Sequence, residues 1–249
     1  MSNETLFTTK ANDYAKSRPS YAAEAIDFIT RRLLSAGDRV ADIGSGTGIF
    51  SAELLRRGYQ VFCVEPNDNM RAKAEAALGG MPGFYSVAAT AEKTSLPEGQ
   101  FHLVTAASAF HWFDAEAFRT ECRRILAPGG QVCLLINARV YDDFTWQQHN
   151  ICRELCDNFQ SLKHGAEKTE ARADTFFAPG WQVRRFSFPL RYTTETFVSR
   201  SLSSSYAPDP DSDRGRAFAA RLRQLAETTA REGCLTVAND TILLWGTPR

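Results

Sequence analysis

The sequence predicts an α/β fold in which a mostly parallel sheet carries helices on both faces. Short apolar runs at 39–43 and 60–64 are each followed by a segment whose apolar residues have helical spacing. Such alternation is typical of parallel sheets, because each crossover helix covers one face of the sheet. The first run also ends in a glycine-rich bend that opens a helix, where α/β folds bind ligands. A ligand site is therefore expected at the carboxyl ends of the strands.

The first 137 residues contain five predicted strands with helices between them. A helix from Ser20, its predicted N-cap, to about Leu34 precedes the strands, a second spans 48–57, and Asp114 is predicted to cap another. The predicted strands are 39–43, 60–64, 84–88, 101–106 and 131–136.

The remaining residues are predicted to elaborate the same domain rather than to form a second one. Two segments, 140–180 and 193–233, read as helical insertions, and aromatic residues in the first suggest a lid. We therefore predict one domain over 1–249. Its predicted parts are a helical cover at 1–34, a core at 35–137 and 182–249, and the two lid insertions.

Composition excludes several classes of function. Twenty-nine basic residues balance 29 acidic residues, so net charge draws the chain neither to nucleic acid nor to an anionic membrane. The expected partner is a small-molecule substrate. The first residues lack a basic start and an apolar run, and no stretch reaches the length of a membrane span, so a cytoplasmic location is expected. The sequence does not indicate an oligomeric state.

The six cysteines are expected to be reduced, because none forms a C-x-x-C pair. His149, Cys152 and Cys156 share one helix face and can each bind a metal. A structural zinc usually needs a fourth ligand, and none is signalled nearby. We therefore predict no metal site.

The glycine-rich bend indicates the chemistry of the ligand. Gly44, Gly46 and Gly48 follow G-x-G-x-G spacing, whereas the dinucleotide fingerprint would need a glycine at Ile49. Asp42 would repel a pyrophosphate and attract an ammonium group. Glu65, at the end of the next strand, has the spacing of an acid that accepts both hydroxyls of a ribose. These residues predict a cofactor with a ribose, an ammonium group and no phosphate.

Four motifs in this order resemble the class I S-adenosylmethionine-dependent methyltransferases. They are Asp42-x-Gly44-x-Gly46-x-Gly48, Glu65, Thr90-Ala91-Glu92-x-x-x-Leu96-Pro97 and Ala127-Pro128-Gly129-Gly130. The resemblance covers roughly residues 10–137 and implies a Rossmann-like sheet of seven strands. Strands near 182–188 and 235–246 would form its antiparallel edge hairpin. His111-Trp112-Phe113-Asp114 resembles a small-molecule branch, of methyltransferase type 11 character, that includes the trans-aconitate methyltransferases.

The resemblance implies S-adenosyl-L-methionine as the cofactor. Arg18 could pair with its carboxylate and Tyr14 could contact the sulfonium side, or both could simply pack the first helices. Met70 could border the adenine or belong to the core. The implied cofactor-binding residues are Tyr14, Arg18, Asp42, Gly44, Ser45, Gly46, Thr47, Gly48, Glu65, Pro66, Met70, Ala91, Glu92 and Ser108.

His111 is the candidate catalytic residue. It follows strand 101–106 at the carboxyl edge of the sheet and would serve as base or orienting donor for a hydroxyl, amine or acidic carbon. A partly buried structural histidine is the alternative. Trp112, Arg139 and Tyr141 are the candidate substrate-binding residues, and Arg139 could meet an acidic substrate.

The sequence thus predicts methyl transfer from S-adenosylmethionine to a small acceptor such as a carboxylate or hydroxyl. Three alternatives stay open. A methyltransferase acting on RNA or protein would need a basic stripe or an added domain. A nicotinamide-dependent oxidoreductase is disfavoured by Ile49 and Asp42. The third is a cofactor-binding protein without catalytic activity.

Overall fold

The computed structural model describes residues 20–249 and shows a seven-stranded sheet with helices on both faces. Tyr14 and Arg18 lie outside these residues, as does most of the predicted cover at 1–34. The strands are β1 (Arg39–Ile43), β2 (Gln60–Val64), β3 (Phe84–Val87), β4 (Phe101–Ala107), β5 (Leu126–Arg139), β6 (Gln182–Ser187), β7 (Leu190–Tyr192), β8 (Leu235–Val237) and β9 (Asn239–Gly246).

The strand order of the main sheet is β3-β2-β1-β4-β5-β9-β6. Strands β1 to β5 are mutually parallel, whereas β9 runs antiparallel to both of its neighbours, β5 and β6. The predicted sheet is therefore confirmed, including the antiparallel pairing of its last two strands. The reversed strand β9 lies inside the sheet, and β6 forms the edge.

The predicted strand 235–246 is in fact two strands that serve different parts of the fold. After Ala238, β9 enters the main sheet, where seven of its eight residues are buried. Before it, β8 pairs with β7 in a separate two-stranded sheet. The apolar run hides this break, because Leu235 and Val237 are buried too, but in a different hydrophobic cluster.

Helices pack against both faces of the main sheet and above its carboxyl edge. They are α1 (Ala23–Arg32), α2 (Ile49–Leu55), α3 (Asp68–Leu78), α4 (Ala115–Ile125), α5 (Asp143–Leu155), α6 (His164–Ala171), α7 (Ala173–Phe176), α8 (Thr194–Leu202) and α9 (Asp213–Thr229), with a 3-10 turn at Phe110–Trp112. None of the helices within 20–249 is long and apolar enough to span a membrane.

The N-cap prediction for Ser20 is wrong, and that for Asp114 is confirmed. Asp114 accepts hydrogen bonds from two backbone N–H groups at the start of α4. Helix α1 begins later than expected, after Ala22, and no side chain caps it. The chain is instead tied to the sheet: Asn137 donates to the Ser20 carbonyl at 2.9 Å, and the Ala22 N–H donates to Thr241 at 2.9 Å.

The two predicted insertions are not separate units. Helix α5 of the first packs with α8 and α9 of the second and with β7 and β8 around one apolar cluster, here called the cap cluster, which includes Phe144, Phe197 and Phe218. The rest of the first insertion, α6 and α7, packs against the main sheet, where Phe176 and Phe177 are almost fully buried. The aromatic pattern of 140–180 thus serves two different cores.

Candidate functional site

A cavity of about 480 Å³ lies at the carboxyl ends of the central parallel strands, beneath residues of the cap cluster's elements. Small-ligand sites typically enclose about 300–1,000 Å³, so this one suits small molecules. The predicted site residues in its wall are Gly44, Ser45, Gly46, Thr47, Glu65, Pro66, Met70, Ala91, Glu92, Ser108, His111, Trp112 and Arg139. Of the other predicted site residues within 20–249, Asp42, Gly48 and Tyr141 lie away from that wall.

The three glycines of the bend have different structural roles, although all have positive φ angles. A Cβ atom on Gly44 would lie 2.7 Å from Cβ of Ala109, and one on Gly48 would lie 2.4 Å from Cδ1 of Leu78. Both distances are too short for real contacts, so these glycines let the bend pack closely. A Cβ on Gly46 would meet no protein atom within 4 Å. Gly46 therefore leaves open the space that faces the cavity.

We expect Gly46→Ala and Gly44→Ala to fail in different ways. Alanine at either position has an unfavourable positive φ that costs roughly 1–2 kcal/mol. Gly46→Ala should fold but bind S-adenosylhomocysteine about tenfold more weakly, because its methyl group enters the cavity. Gly44→Ala should lower the melting temperature further, since its methyl group collides with Ala109. Thermal denaturation and calorimetric titration of both variants check this, and equal melting temperatures would contradict it.

Glu65 is fixed at the end of β2 by two backbone groups. One carboxylate oxygen accepts from the Gly46 N–H at 2.9 Å, and the other accepts from the Asn67 N–H at 2.9 Å. Burial raises the pKa of Glu65, while these two hydrogen bonds and the charge of Arg71 lower it. A carboxylate has about four acceptor positions, so two remain for a ligand. Glu65 is thus an oriented carboxylate with acceptor positions left for hydrogen-bond donors of a ligand.

Asp42 does not contact the cavity, which corrects the expectation that it binds an ammonium group directly. Its carboxylate is fully buried beneath the bend. Ser51 of α2 donates to one oxygen at 2.5 Å, and Thr105 of β4 donates to the other at 2.9 Å. Burial raises the pKa of Asp42 to about 6, more than these hydrogen bonds lower it, and the charge of Glu65 raises it further. Asp42 joins β1, α2 and β4 below the ligand site.

The wall beyond Glu65 combines apolar and polar groups. Met70 of α3 is almost fully buried and lines the cavity, and so does Ala91. Glu92 is half-buried, and its carboxylate accepts from the Asp114 N–H at 3.2 Å. This contact holds the loop after β3 against the start of α4 and leaves acceptor positions on Glu92. The arrangement suits a flat ring with an amino group.

Ser108 forms the middle of the cavity wall in a strained conformation. Its φ of 56° is uncommon for a residue with a side chain. The Ser108 N–H donates to the Leu135 carbonyl at 2.7 Å, and the Tyr21 hydroxyl donates to the Ser108 hydroxyl at 3.0 Å. Such strain is retained where neighbouring structure enforces it and often occurs at functional sites.

His111 and Trp112 lie on the 3-10 turn after β4, and both line the cavity. Their ring centroids are 5.0 Å apart. Helix α6 packs closely over the imidazole at Gly165, where a Cβ atom would lie 3.4 Å from Nδ1 of His111. The ring is therefore held between the sheet edge and α6, at the position predicted for the methyl-transfer site.

Arg139, at the end of β5, lines both the main cavity and a smaller neighbouring one, whereas Tyr141 lines only the smaller one. The Tyr141 hydroxyl lies 2.7 Å from Nδ1 of His149 and accepts from the Leu162 N–H at 3.3 Å. The prediction that Tyr141 contacts the substrate is therefore not supported by its position. Tyr141 instead positions the loop that carries Leu162, which does line the main cavity.

Several cavity residues have no signal in the sequence. Asn67, two residues after Glu65, is an exception that could have been found, because an N-cap so near the acid lies at the same strand end. Further lining residues come from the distant second half of the chain, among them Leu162, Leu190, Arg200 and Asn239. No group of histidine, cysteine and acidic side chains within the described ranges is placed to hold a metal ion.

Comparison with known proteins identifies the central part of the chain. The family model described as a methyltransferase domain matches residues 41–134, which include the glycine bend, Glu65 and His111. An uncharacterized methyltransferase of Mycobacterium tuberculosis is 37% identical over 133 residues, or 53% of this chain and 52% of the relative. The chain carries a class I S-adenosylmethionine-dependent methyltransferase domain. The cofactor of such a domain is S-adenosylmethionine, as the motifs predicted.

Other relatives of the methyltransferase domain have a stated activity. A ubiquinone biosynthesis O-methyltransferase of Xanthomonas oryzae is 30% identical over 112 residues, covering 44% of this chain and 47% of the relative. The chain spans about half the length of the curated relatives it matches. The resemblance to trans-aconitate methyltransferases stays a prediction.

Solved structures extend the likeness of the fold over almost the whole chain. The structure of a proposed type II methyltransferase from Anaeromyxobacter dehalogenans superposes on this chain with a TM-score of 0.72 at 23% identity. The match covers 92% of this chain and 97% of the other. A geranyl diphosphate C-methyltransferase from Streptomyces coelicolor, solved with S-adenosyl-L-homocysteine, gives 0.50 at 17% identity, covering 91% and 79%. At these identities the likeness shows the fold alone.

Proposed function

We propose that this protein transfers a methyl group from S-adenosylmethionine to a small-molecule acceptor held in the same cavity. The observation that carries the proposal is the cavity itself. A wall suited to a nucleoside lies at one end, His111 lies near the middle, and the elements of the cap cluster close the other side. A cavity of about 480 Å³ has the size of sites that hold small molecules.

The residues present fit the cofactor. Glu65 keeps two acceptor positions for the ribose hydroxyls, and Gly46 leaves its cavity side open. Met70 and Ala91 would border the adenine, and Glu92 would accept from its amino group. Because Asp42 is enclosed, the ammonium group would meet the backbone of the bend and Ser108 rather than the Asp42 carboxylate.

Methyl transfer depends mainly on the positioning of the methyl donor and the acceptor. When bound, S-adenosylmethionine supplies a methyl group attached to its sulfonium sulfur. A nucleophile attacks that methyl carbon in line and displaces the sulfur. In that displacement the acceptor atom would gain a bond to the methyl carbon as the carbon–sulfur bond of the cofactor breaks. Holding the two reactants in line can supply about 7–11 kcal/mol of the barrier. His111 and Trp112 line the part of the wall where the acceptor would be held.

We propose that His111 takes the proton that a hydroxyl or amine acceptor loses. His111→Asn should then lower turnover of such an acceptor by about a hundredfold or more, with S-adenosylhomocysteine affinity unchanged. Steady-state kinetics and calorimetry check this. His102→Asn is the matched control, because His102 lies on β4, at the opposite end from the 3-10 turn that carries His111. Unchanged turnover of a hydroxyl or amine acceptor by His111→Asn would exclude the role of base.

The experiment that tests the function has two stages. Calorimetry with S-adenosylhomocysteine first establishes whether the cofactor site is competent. Incubation of the protein with S-adenosylmethionine and panels of phenols, amines and carboxylic acids follows, with mass spectrometry to detect acceptors gaining one methyl group. We expect binding and at least one methylated small molecule. Binding without any methylated product, or methylation only of added RNA or protein, would overturn the proposal.

A further inference from the structure

The guanidinium of Arg139 is the main unexplained charge in the cavity wall. Arg139 is half-buried at the end of β5. Its Nη1 atom is shielded from solvent and has no hydrogen-bond partner among residues 20–249. A shielded charged donor without a partner is costly, and proteins normally pair such groups. The missing partner is expected to be an anion that arrives with a ligand.

The layout of charges along the cavity separates two ends. Glu65 and Glu92 follow β2 and β3, whereas Arg139 is the last residue of β5, and Arg200 of α8 lines the same cavity. In the strand order, β1 and β4 separate β2 from β5. Three strand spacings of roughly 4.8 Å place the two ends about 14 Å apart. The acidic end suits the nucleoside, and the basic end lies beyond His111.

Nearby acids do not explain Arg139. Glu167, Glu170 and Asp240 share the smaller neighbouring cavity with it. Glu170 is already paired with Arg185. Neither of the other two is within hydrogen-bond distance of Nη1, which has no partner in the described part of the chain. Within residues 20–249, an ion pair therefore does not account for a guanidinium at this position.

We propose that Arg139 binds an oxyanion, a carboxylate or a phosphate, on the methyl acceptor, so that the substrate of this site is an anionic small molecule. A guanidinium presents parallel N–H donors that match the two oxygens of such a group. Anchoring the acceptor there would direct the rest of the molecule toward His111. The inference rests on the proposed function, because it assigns the cofactor to the opposite end of the cavity.

The test uses full-length protein saturated with S-adenosylhomocysteine. Glutarate and inorganic phosphate serve as oxyanion probes, glutaramide serves as the neutral match for glutarate, and binding is followed by NMR titration. We expect glutarate or phosphate to bind and glutaramide not to bind. Arg139→Gln should weaken oxyanion binding about tenfold or more, whereas Arg139→Lys should retain part of it. Arg153→Gln, at an exposed arginine on α5, is the matched control and should bind as the wild type does.

Each alternative result has a distinct meaning. Failure of the wild type to bind S-adenosylhomocysteine would remove the proposed function itself. If the wild type binds the cofactor product but neither oxyanion, or binds glutaramide equally well, the inference about Arg139 is wrong. If Arg139→Gln weakens S-adenosylhomocysteine binding as much as oxyanion binding, Arg139 belongs to the cofactor site and the inference is again overturned. A preference between glutarate and phosphate identifies the class of oxyanion.

Discussion

Glu65→Gln is expected to weaken S-adenosylhomocysteine binding on the order of a hundredfold or more. Hydrogen bonds to a charged group contribute about 1.5–3 kcal/mol each, and the carboxylate would accept two from the ribose. Glutamine also disturbs the free site. Its amide has one oxygen, so its NH₂ group would face either the Gly46 or the Asn67 N–H, both of which now donate to Glu65. Isothermal titration calorimetry at neutral pH measures the change.

Glu98→Gln provides the control for this prediction. Glu98 is exposed in the loop before β4 and lies outside the cavity wall. The affinity of Glu98→Gln for S-adenosylhomocysteine should therefore match that of the wild type. Circular dichroism melting of Glu65→Gln distinguishes a lost ligand contact from a lost fold. An affinity within threefold of the wild type in a folded Glu65→Gln protein would show that Glu65 does not bind the ribose.

Much of the fold could be predicted because the central strands are short, apolar and bounded by turn residues. The bounds of β1 and β2 agree with the predicted 39–43 and 60–64. Prediction failed where tertiary structure decides between similar local patterns. The apolar run around Ala238 does not reveal that β8 and β9 join different sheets. Likewise, Ser20 has the chemistry of an N-cap, but hydrogen bonds to Asn137 and Thr241 of the sheet hold the segment before α1 instead.

The site shows the same division between local and distant information. The bend and Glu65 were predicted because a βα turn places both at one sheet edge, and the structure brings them within hydrogen-bond distance. The sequence cannot show which way a side chain at a strand end points. Asp42 and Glu65 both lie within one residue of a strand end. Glu65 lines the cavity, whereas Asp42 is enclosed by Ser51 and Thr105. Nor can it show that Leu162 and Arg200, far apart in the chain, meet over the cavity.

Asp42 makes stability depend on pH in an unusual direction. Burial raises its pKa from 3.8 to about 6, so the folded protein holds this proton more tightly than the unfolded chain does. The stabilising contribution of the protonated form is complete below about pH 4 and is lost as pH rises through 6. Two pKa units correspond to about 3 kcal/mol. Ionised Asp42 therefore lowers the free energy of unfolding at neutral pH.

Asp42→Asn should remove this dependence. The amide has nearly the same shape, stays neutral, and can still accept from one of the hydroxyls of Ser51 and Thr105. Between pH 4 and pH 7, the free energy of unfolding of the variant should rise relative to the wild type by about 2 kcal/mol. Chemical denaturation at a series of pH values measures this difference, in which the titrations shared by both proteins cancel. Asp211→Asn, at an exposed loop position, should give a curve parallel to the wild type. Parallel curves for Asp42→Asn and the wild type would mean that Asp42 is ionised over this whole range despite its burial, with Ser51 and Thr105 compensating the charge.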